Sequence, residues 1–165
     1  MTLLVSASRP LRSLDHGLRL ARERGAGLWV GASDSALSWL DQDAVEASIG
    51  RPLLNAGEPL PEERSTVCVA PATFNTVNKL ASGISDTLVT AVAAEAIGAG
   101  NPVVVAPSMN TALLSHPVTA ENRRRLTSYG VHLVWPRAGN EDSEDFSTWW
   151  QTVIDTSAVA GSSTS

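Results

Sequence analysis

Residues 66–76 read Thr-Val-Cys-Val-Ala-Pro-Ala-Thr-Phe-Asn-Thr, a short apolar run that ends in polar side chains. Residues 102–110 repeat this arrangement as Pro-Val-Val-Val-Ala-Pro-Ser-Met-Asn. Short apolar runs without alternation are typical of strands that are buried on both faces of a parallel sheet. The two stretches therefore predict two buried strands, each followed by a polar loop.

Three other apolar runs, at residues 1–6, 28–32 and 131–135, predict further strands. The segments between the strands carry apolar residues at helical spacing. Strands that alternate with helices predict an α/β fold, here a Rossmann-like (flavodoxin-like) parallel sheet with helices on both faces. A length of 165 residues suits a single domain. We predict that this domain covers residues 1–155, and that the small, polar residues 156–165 form a disordered tail.

The charge and the cysteine content narrow the classes of function. The formal net charge is -5, and no nucleic-acid partner is expected because binding to a phosphate backbone needs a basic surface. Cys68 is the single cysteine, which excludes an internal disulfide and a cysteine-based zinc site. No leader opens the chain and no apolar run is long enough to cross a bilayer, so we expect a cytoplasmic protein with no membrane contact.

The carboxyl ends of the predicted strands collect small polar side chains. In a parallel sheet, ligands bind outside these ends. The hydroxyls of Ser6, Ser8, Ser33 and Ser35 could bind a phosphate there, or they could simply cap helices. The glycine-rich dinucleotide and P-loop motifs are both missing.

The two polar loops carry an asparagine each. Asn75 and Asn110 could together bind the edge of a heteroaromatic ring or a carboxylate, with Met109 as an apolar surface against the ring. Alternatively, they could cap two ordinary strand-to-helix loops. The residues alone leave both interpretations open.

A family resemblance favours the first interpretation. Residues 71–76 resemble the Pro-Ala-Ser-Ala-Asn-Thr motif of the homo-oligomeric flavin-containing cysteine decarboxylases. Residues 107–114 resemble that family's Pro-x-Met-Asn-x-x-Met-Trp motif, and residues 78–88 are similar to its intervening helix and Asp-x-Leu turn. The resemblance runs from about Leu3 to Pro136 and keeps the order and spacing of both motifs.

The resemblance implies a cofactor, a reaction and a set of site residues. The cofactor is FMN, which in the family oxidises a cysteine so that its carboxylate leaves as carbon dioxide and an enethiol remains. Asn75 is expected to contact the carboxylate of the substrate cysteine. The residues expected at the flavin are Ser6, Ser8, Ser33, Ser35, Pro71, Ala72, Thr73, Phe74, Thr76, Asp86, Ser108, Met109 and Asn110.

Two branches of the family differ in substrate. One acts on phosphopantothenoylcysteine, and the other acts on the C-terminal cysteine of precursor peptides in lanthipeptide-type biosynthesis. Residues 52–55 (Pro-Leu-Leu-Asn) resemble a segment of the peptide branch, and residues 137–142 lack the active-site cysteine of the coenzyme A branch. We therefore expect an FMN-dependent peptidyl-cysteine decarboxylase that binds a cysteine-terminated peptide and assembles with itself as a trimer or dodecamer.

The family's catalytic histidine is missing. Ala56, or Gly57 when the alignment is counted from Pro71, occupies its position. The change could be an engineered substitution, or the enzyme could use another base such as Glu58. Alternatively, the chain could be a non-catalytic flavin-binding paralogue. The three histidines present, His16, His116 and His132, are interpreted as structural or solvent-facing.

Overall fold

The computed structural model describes residues 1–55, 57, 65–136 and 145–162. Within these residues, five parallel strands form one sheet in the order β2-β1-β3-β4-β5. The strands are β1 (Thr2–Val5), β2 (Trp29–Ala32), β3 (Val67–Ala72), β4 (Val103–Pro107) and β5 (His132–Leu133). The predicted α/β class and parallel sheet are therefore confirmed, and this strand order is the flavodoxin-like one.

Helices connect the strands, and most of their first residues follow a capping side chain. Ser33, Asp41, Thr73, Thr87 and Asn110 each accept a hydrogen bond from a backbone N–H of the helix that follows. A 3-10 turn at Arg9–Ser13 precedes the first helix. The helices are α1 (Leu14–Glu23), α2 (Asp34–Leu37), α3 (Gln42–Ile49), α4 (Phe74–Ala81), α5 (Leu88–Gly98), α6 (Thr111–Leu114), α7 (Pro117–Ser128) and α8 (Ser147–Ser162).

The sheet is covered on both faces. Leu3 and Val5 of β1 point to one hydrophobic cluster, which includes residues of α1, α3 and α8. Leu4 points to the other cluster, which includes residues of α4, α5 and α7. Successive side chains of a strand alternate between faces, so an apolar run without alternation fits a sheet buried on both sides. No helix in the described ranges is both long and apolar enough to cross a bilayer.

Three predicted boundaries were wrong. The fifth strand was predicted over residues 131–135, but β5 covers only His132–Leu133. The third strand was predicted to end at Ala70, but β3 continues through Pro71 to Ala72, with a register shift between Val69 and Ala72. The tail at 156–165 was predicted to be disordered, but α8 continues to Ser162. Its Ser157 and Ala160 are buried, so these turns of the helix pack against the domain.

Helix α8 is held against α1 by one large side chain. Trp150 is fully buried and its Nε1–H donates to the carbonyl oxygen of Pro10 at 3.2 Å. A Cβ atom on Gly17 would lie 2.5 Å from the Trp150 ring. Only glycine therefore allows α1 to approach this ring so closely, and the last helix belongs to the core of the domain.

Candidate functional site

In a parallel sheet of this strand order, a ligand crevice is expected between β1 and β3. All five strands are parallel, but the chain continues from β1 to β2 on one side of this point and from β3 to β4 on the other. The loops after β1 and β3 therefore leave toward opposite faces of the sheet. Backbone hydrogen bonds hold the loops together: Ser6 N–H donates to Pro71 O at 3.0 Å, and Ser108 N–H donates to Ala72 O at 2.8 Å. Pro71 and Ala72 are both buried, so they support the site through their backbone.

Hydroxyl groups from both sides meet in this crevice. Thr76 Oγ1 lies 3.0 Å from Ser6 Oγ and 3.0 Å from Thr73 Oγ1. Ser6 and Thr76 are only 2% and 8% exposed. Thr73 also caps α4 by accepting from Thr76 N–H at 3.2 Å. A chain of three hydroxyls therefore links the end of β1 to the first turn of α4.

A second hydroxyl pair joins the first and fourth strands. Ser8 Oγ donates to Ser108 Oγ at 2.9 Å and lies 3.1 Å from Ser108 O. These residues are 100 positions apart in the sequence, and the pairing confirms that the two loops gather at one edge. Both serines are partly exposed, so both can be reached by a ligand.

Ser33 and Ser35 lie at the end of β2. Ser33 N–H donates to Val5 O at 3.0 Å, which ties this loop to the end of β1. Ser33 Oγ accepts from Ala36 N–H and lies 3.3 Å from Ser35 Oγ. The capping interpretation is therefore confirmed for Ser33, while phosphate binding by this pair stays a prediction.

The first motif presents an aromatic ring and an amide. Asn75 is exposed in the first turn of α4, next to the partly buried Phe74. The Phe74 ring meets the His116 ring edge-on, with centroids 5.6 Å apart. His116 caps α7, since its Nδ1 accepts from Val118 N–H at 3.2 Å. The structural role expected for this histidine is confirmed, but its contact with Phe74 was missed.

The second motif has an exposed asparagine that also caps a helix. Asn110 Oδ1 accepts from Leu113 N–H at 2.9 Å, which leaves its amide group for another partner. Met109 is half-buried against the second hydrophobic cluster. An apolar surface thus lies beside an amide on the loop after β4.

The Asp86 turn is connected to the same region. Both Asp86 carboxylate oxygens accept from Lys79 Nζ at 2.8 Å, and this hydrogen bond lowers the pKa of Asp86.

The start of α5 lies close to β2. A Cβ atom on Gly31 would lie 3.3 Å from Leu88 Cδ2 and 3.6 Å from Leu54 Cβ. The start of α5 therefore packs near the end of β2, on the segment that leads to position 56.

The segment that leads to the position of the missing histidine lies beside β2. Leu54 N–H donates to Val30 O at 2.8 Å, which fixes the segment beside β2. Gly57 has a φ of 87°, a conformation that favours glycine. Gly57 is one of the two positions considered for the missing histidine; the other, Ala56, and the alternative base Glu58 lie outside the described residues.

Cys68 is separate from this site. It is fully buried in β3, as predicted. Burial raises the pKa of its thiol to about 12, although a hydrogen bond with Ser157 lowers it. A thiol in this environment stays protonated and has no access to solvent, so it is not a nucleophile.

The sequence comparison shows the family of the chain. The sequence model of the family described as Flavoprotein matches residues 18–158. The chain therefore belongs to the flavoprotein family. The coenzyme A biosynthesis bifunctional protein CoaBC of Thermococcus kodakarensis is 34% identical over 134 residues, which are 73% of this chain and 33% of that protein. Phosphopantothenoylcysteine decarboxylase of Mus musculus is 44% identical over 62 residues, 38% of this chain and 30% of that enzyme. The chain thus spans about a third of these relatives.

Solved structures share the fold over nearly the whole chain. The FMN-dependent cysteine decarboxylase SpaF superposes with a TM-score of 0.70 at 25% identity, covering 95% of both chains. TvaF, from thioviridamide biosynthesis, gives 0.69 at 26% identity, covering 95% of this chain and 96% of its own. The FMN-binding protein AtHal3 gives 0.78 at 23% identity, covering 98% and 96%. The last of these supports the fold alone.

The described residues fit an FMN molecule by the chemistry of their side chains. Serine and threonine hydroxyls from the loops after β1, β2, β3 and β4 can turn their protons toward a phosphate. The buried hydroxyl chain of Ser6, Thr76 and Thr73 lies at the switch point, where flavodoxin-like sheets bind their ligand. Met109 adds a soft apolar surface beside it.

Proposed function

We propose that this chain is an FMN-dependent enzyme that decarboxylates the C-terminal cysteine of a precursor peptide to an enethiol. The observation that carries the proposal is the hydroxyl-lined switch point with the exposed Asn75 beside it, in a chain of the flavoprotein family. FMN-dependent cysteine decarboxylases of similar size share the fold. The class of flavin-dependent cysteine decarboxylase is therefore better supported than the substrate.

One set of residues would bind the cofactor, and another would bind the substrate. The hydroxyls of Ser6, Ser8, Ser33, Ser35, Thr73, Thr76 and Ser108 would hold the phosphate and ribityl groups. When bound, FMN supplies the two-electron acceptor for oxidation of the cysteine, whose carboxylate then leaves as carbon dioxide. Asn75 would donate its amide to that carboxylate and orient it. Phe74 and Met109 would exclude water from one side of the reacting group.

Two features support the peptide as substrate. Residues 137–142 contain no cysteine, whereas the coenzyme A branch has one in the corresponding loop. Residues 52–55 resemble the segment before the active-site loop of the peptide branch, and Leu53 and Leu54 are buried against the domain. A homo-oligomer is part of the proposal, since the exposed Ile84 and Tyr129 (47% each) offer apolar surface for a second copy.

Decarboxylation of phosphopantothenoylcysteine is the second candidate. It is favoured by the relatives named for coenzyme A biosynthesis, which match up to 77% of this chain. The two candidates differ in net chemistry. Oxidation to an enethiol removes carbon dioxide and two hydrogens, whereas the net redox-neutral reaction of the coenzyme A branch removes carbon dioxide alone. A non-catalytic paralogue is the third, because position 56 holds alanine.

A substrate competition tests the proposal. FMN-loaded protein is incubated with equal amounts of a cysteine-terminated peptide and phosphopantothenoylcysteine, and the masses of both are followed. We expect the peptide alone to lose carbon dioxide and two hydrogens, and a matched peptide ending in serine to stay unchanged. Preferential turnover of phosphopantothenoylcysteine would favour the second candidate. If only the Ala56→His variant is active, the chain with Ala56 is inactive because it lacks the family's base.

A further inference from the structure

The site contains an imidazole that the two motifs do not include. His116 follows the second motif, and its ring packs edge-on against Phe74, the neighbour of Asn75. His16 instead lies on α1 with its Nδ1 at 2.7 Å from Arg19 Nη2. His132 lies on β5, where it pairs with Val104 of β4. Of the three histidines in the chain, His116 is thus the one whose ring contacts Phe74, the residue before Asn75.

The hydrogen bonding of His116 fixes which ring nitrogen can act. Nδ1 accepts from Val118 N–H at the start of α7, so the neutral ring carries its proton on Nε2. His116 is exposed, and in the described part of the chain Nε2 has no hydrogen-bond partner. The helix cap and the contact with Phe74 therefore hold the ring, with its Nε2–H donor, against the first turn of α4.

A carboxylate near Asn75 needs donors of this kind. Lys79, also on α4, has its ammonium bound to both oxygens of Asp86. The amide of Asn75 is neutral, and one amide cannot satisfy both oxygens of a carboxylate. A second N–H donor would complete the hydrogen bonding of the anion, and hydrogen bonds to an ionised acceptor are among the stronger ones.

We propose that His116 Nε2–H, together with the amide of Asn75, binds the carboxylate of the substrate's acylated cysteine. This inference rests on the proposed function, and it deepens that function by assigning a second specificity residue for the free carboxylate. It applies equally to peptide and small-molecule substrates, since both carry this carboxylate. His116 positions the leaving group and takes no proton in this role.

Two substitutions separate the donor from the helix cap. His116→Asn keeps a polar atom near the position of Nδ1 and so keeps the cap, but it removes the distal N–H. His116→Gln places an N–H near the position of Nε2. His16→Asn is the matched control on α1. Thermal unfolding checks that His116→Asn retains the wild-type fold.

Binding is measured by calorimetry on the FMN-loaded protein. The probe is a short peptide ending in S-methylcysteine, which keeps the sulfur but has no thiol proton, as the free acid and as the amide. We expect His116→Asn to weaken binding of the acid by about tenfold, as for one hydrogen bond to a charged group. His116→Gln should restore most of it, His16→Asn should change nothing, and the amide should bind wild type and His116→Asn alike.

Three results would overturn the assignment. The first is that wild type and His116→Asn bind the acid with equal affinity. The second is that His116→Asn loses as much affinity for the amide as for the acid. The third is that wild type does not bind the acid. If the protein decarboxylates the cysteine peptide but His116→Asn leaves the affinity for the acid unchanged, the inference is contradicted and the proposed function is not. Binding that depends on His116 without loss of carbon dioxide from a cysteine peptide supports it and contradicts the proposed function.

Discussion

Single hydroxyl groups connect the loops of this site. Thr76 Oγ1 is the centre of the chain, because it contacts both Ser6 and Thr73 and is nearly inaccessible to solvent. A buried polar group that loses its partner costs more than the lost hydrogen bond alone. Thr76 is therefore expected to affect both the stability of the domain and its affinity for FMN.

The first prediction concerns Thr76→Val, which removes the hydroxyl at nearly constant shape. The free energy of unfolding should fall by about 1–2 kcal/mol because Ser6 Oγ loses its partner. The dissociation constant for FMN, measured by flavin fluorescence, should rise by about tenfold. Thr152→Val on the exposed side of α8 is the control and should leave both unchanged. Unchanged FMN affinity in Thr76→Val would remove this hydroxyl from the cofactor site.

The second prediction concerns Cys68 at high pH. Burial raises the pKa of the thiol from 9.0 to about 12 in the folded chain. Between these values the unfolded chain releases the proton while the folded chain keeps it. The free energy of unfolding should therefore fall as the pH rises from about 9 to about 12. Denaturant titrations at several pH values should show a shallower fall for Cys68→Ala.

A matching result is expected from thiol chemistry. At neutral pH a thiol reagent should modify native Cys68 slowly and the unfolded chain quickly, since only unfolding gives access to the sulfur. Rapid modification of the native protein would contradict the buried position of Cys68 in β3.

At the scale of elements, α8 shows what the sequence could not reveal. Residues 156–162 are small and polar, a composition typical of disordered tails. They form a helix because Trp150 and Ile154, earlier in α8, pack in the hydrophobic cluster that includes α1. The following turns of α8 continue along the same cluster, where Ala160 is buried. Tertiary packing thus overrides composition, and it cannot be read from the local sequence.

Two neighbouring positions test this helix. Ala160 is 3% exposed and Val159 is 66% exposed. We expect Ala160→Asp to lower the melting temperature by several degrees, because it buries a charge without a partner. Val159→Asp should change it little. Equal melting temperatures for the two variants would restore the original prediction of a disordered tail.

The location of the polar loops at one edge of the sheet was predicted better than the residues at which strands and helices end. The polar residues after β1, β2, β3 and β4 were placed at one edge because parallel strands end at the same edge. Their contacts, such as Ser8 with Ser108, confirm that placement. The extension of β3 to Ala72 was missed because proline, which lacks an N–H, normally marks the end of a strand.

At the scale of the whole molecule, the apolar runs alone could not give the strand order. Apolar runs identify strands, but the neighbour of each strand depends on contacts far apart in the chain, such as Leu3 of β1 with Cys68 of β3. The position of His116 against Phe74 was missed for the same reason. Its contact with Phe74 joins residues that the sequence places in separate segments. The resemblance to a family supplied the cofactor, which the residues alone left open.

The central claim is that this site decarboxylates an acylated cysteine with FMN. The most direct test is the mass spectrum of a cysteine-terminated peptide after incubation with the protein, with and without added FMN. We predict a product that has lost one carbon dioxide and two hydrogen atoms. A protein that takes up FMN but leaves the peptide unchanged would contradict the claim of decarboxylation, and a protein that does not take up FMN would contradict the proposed cofactor site as well.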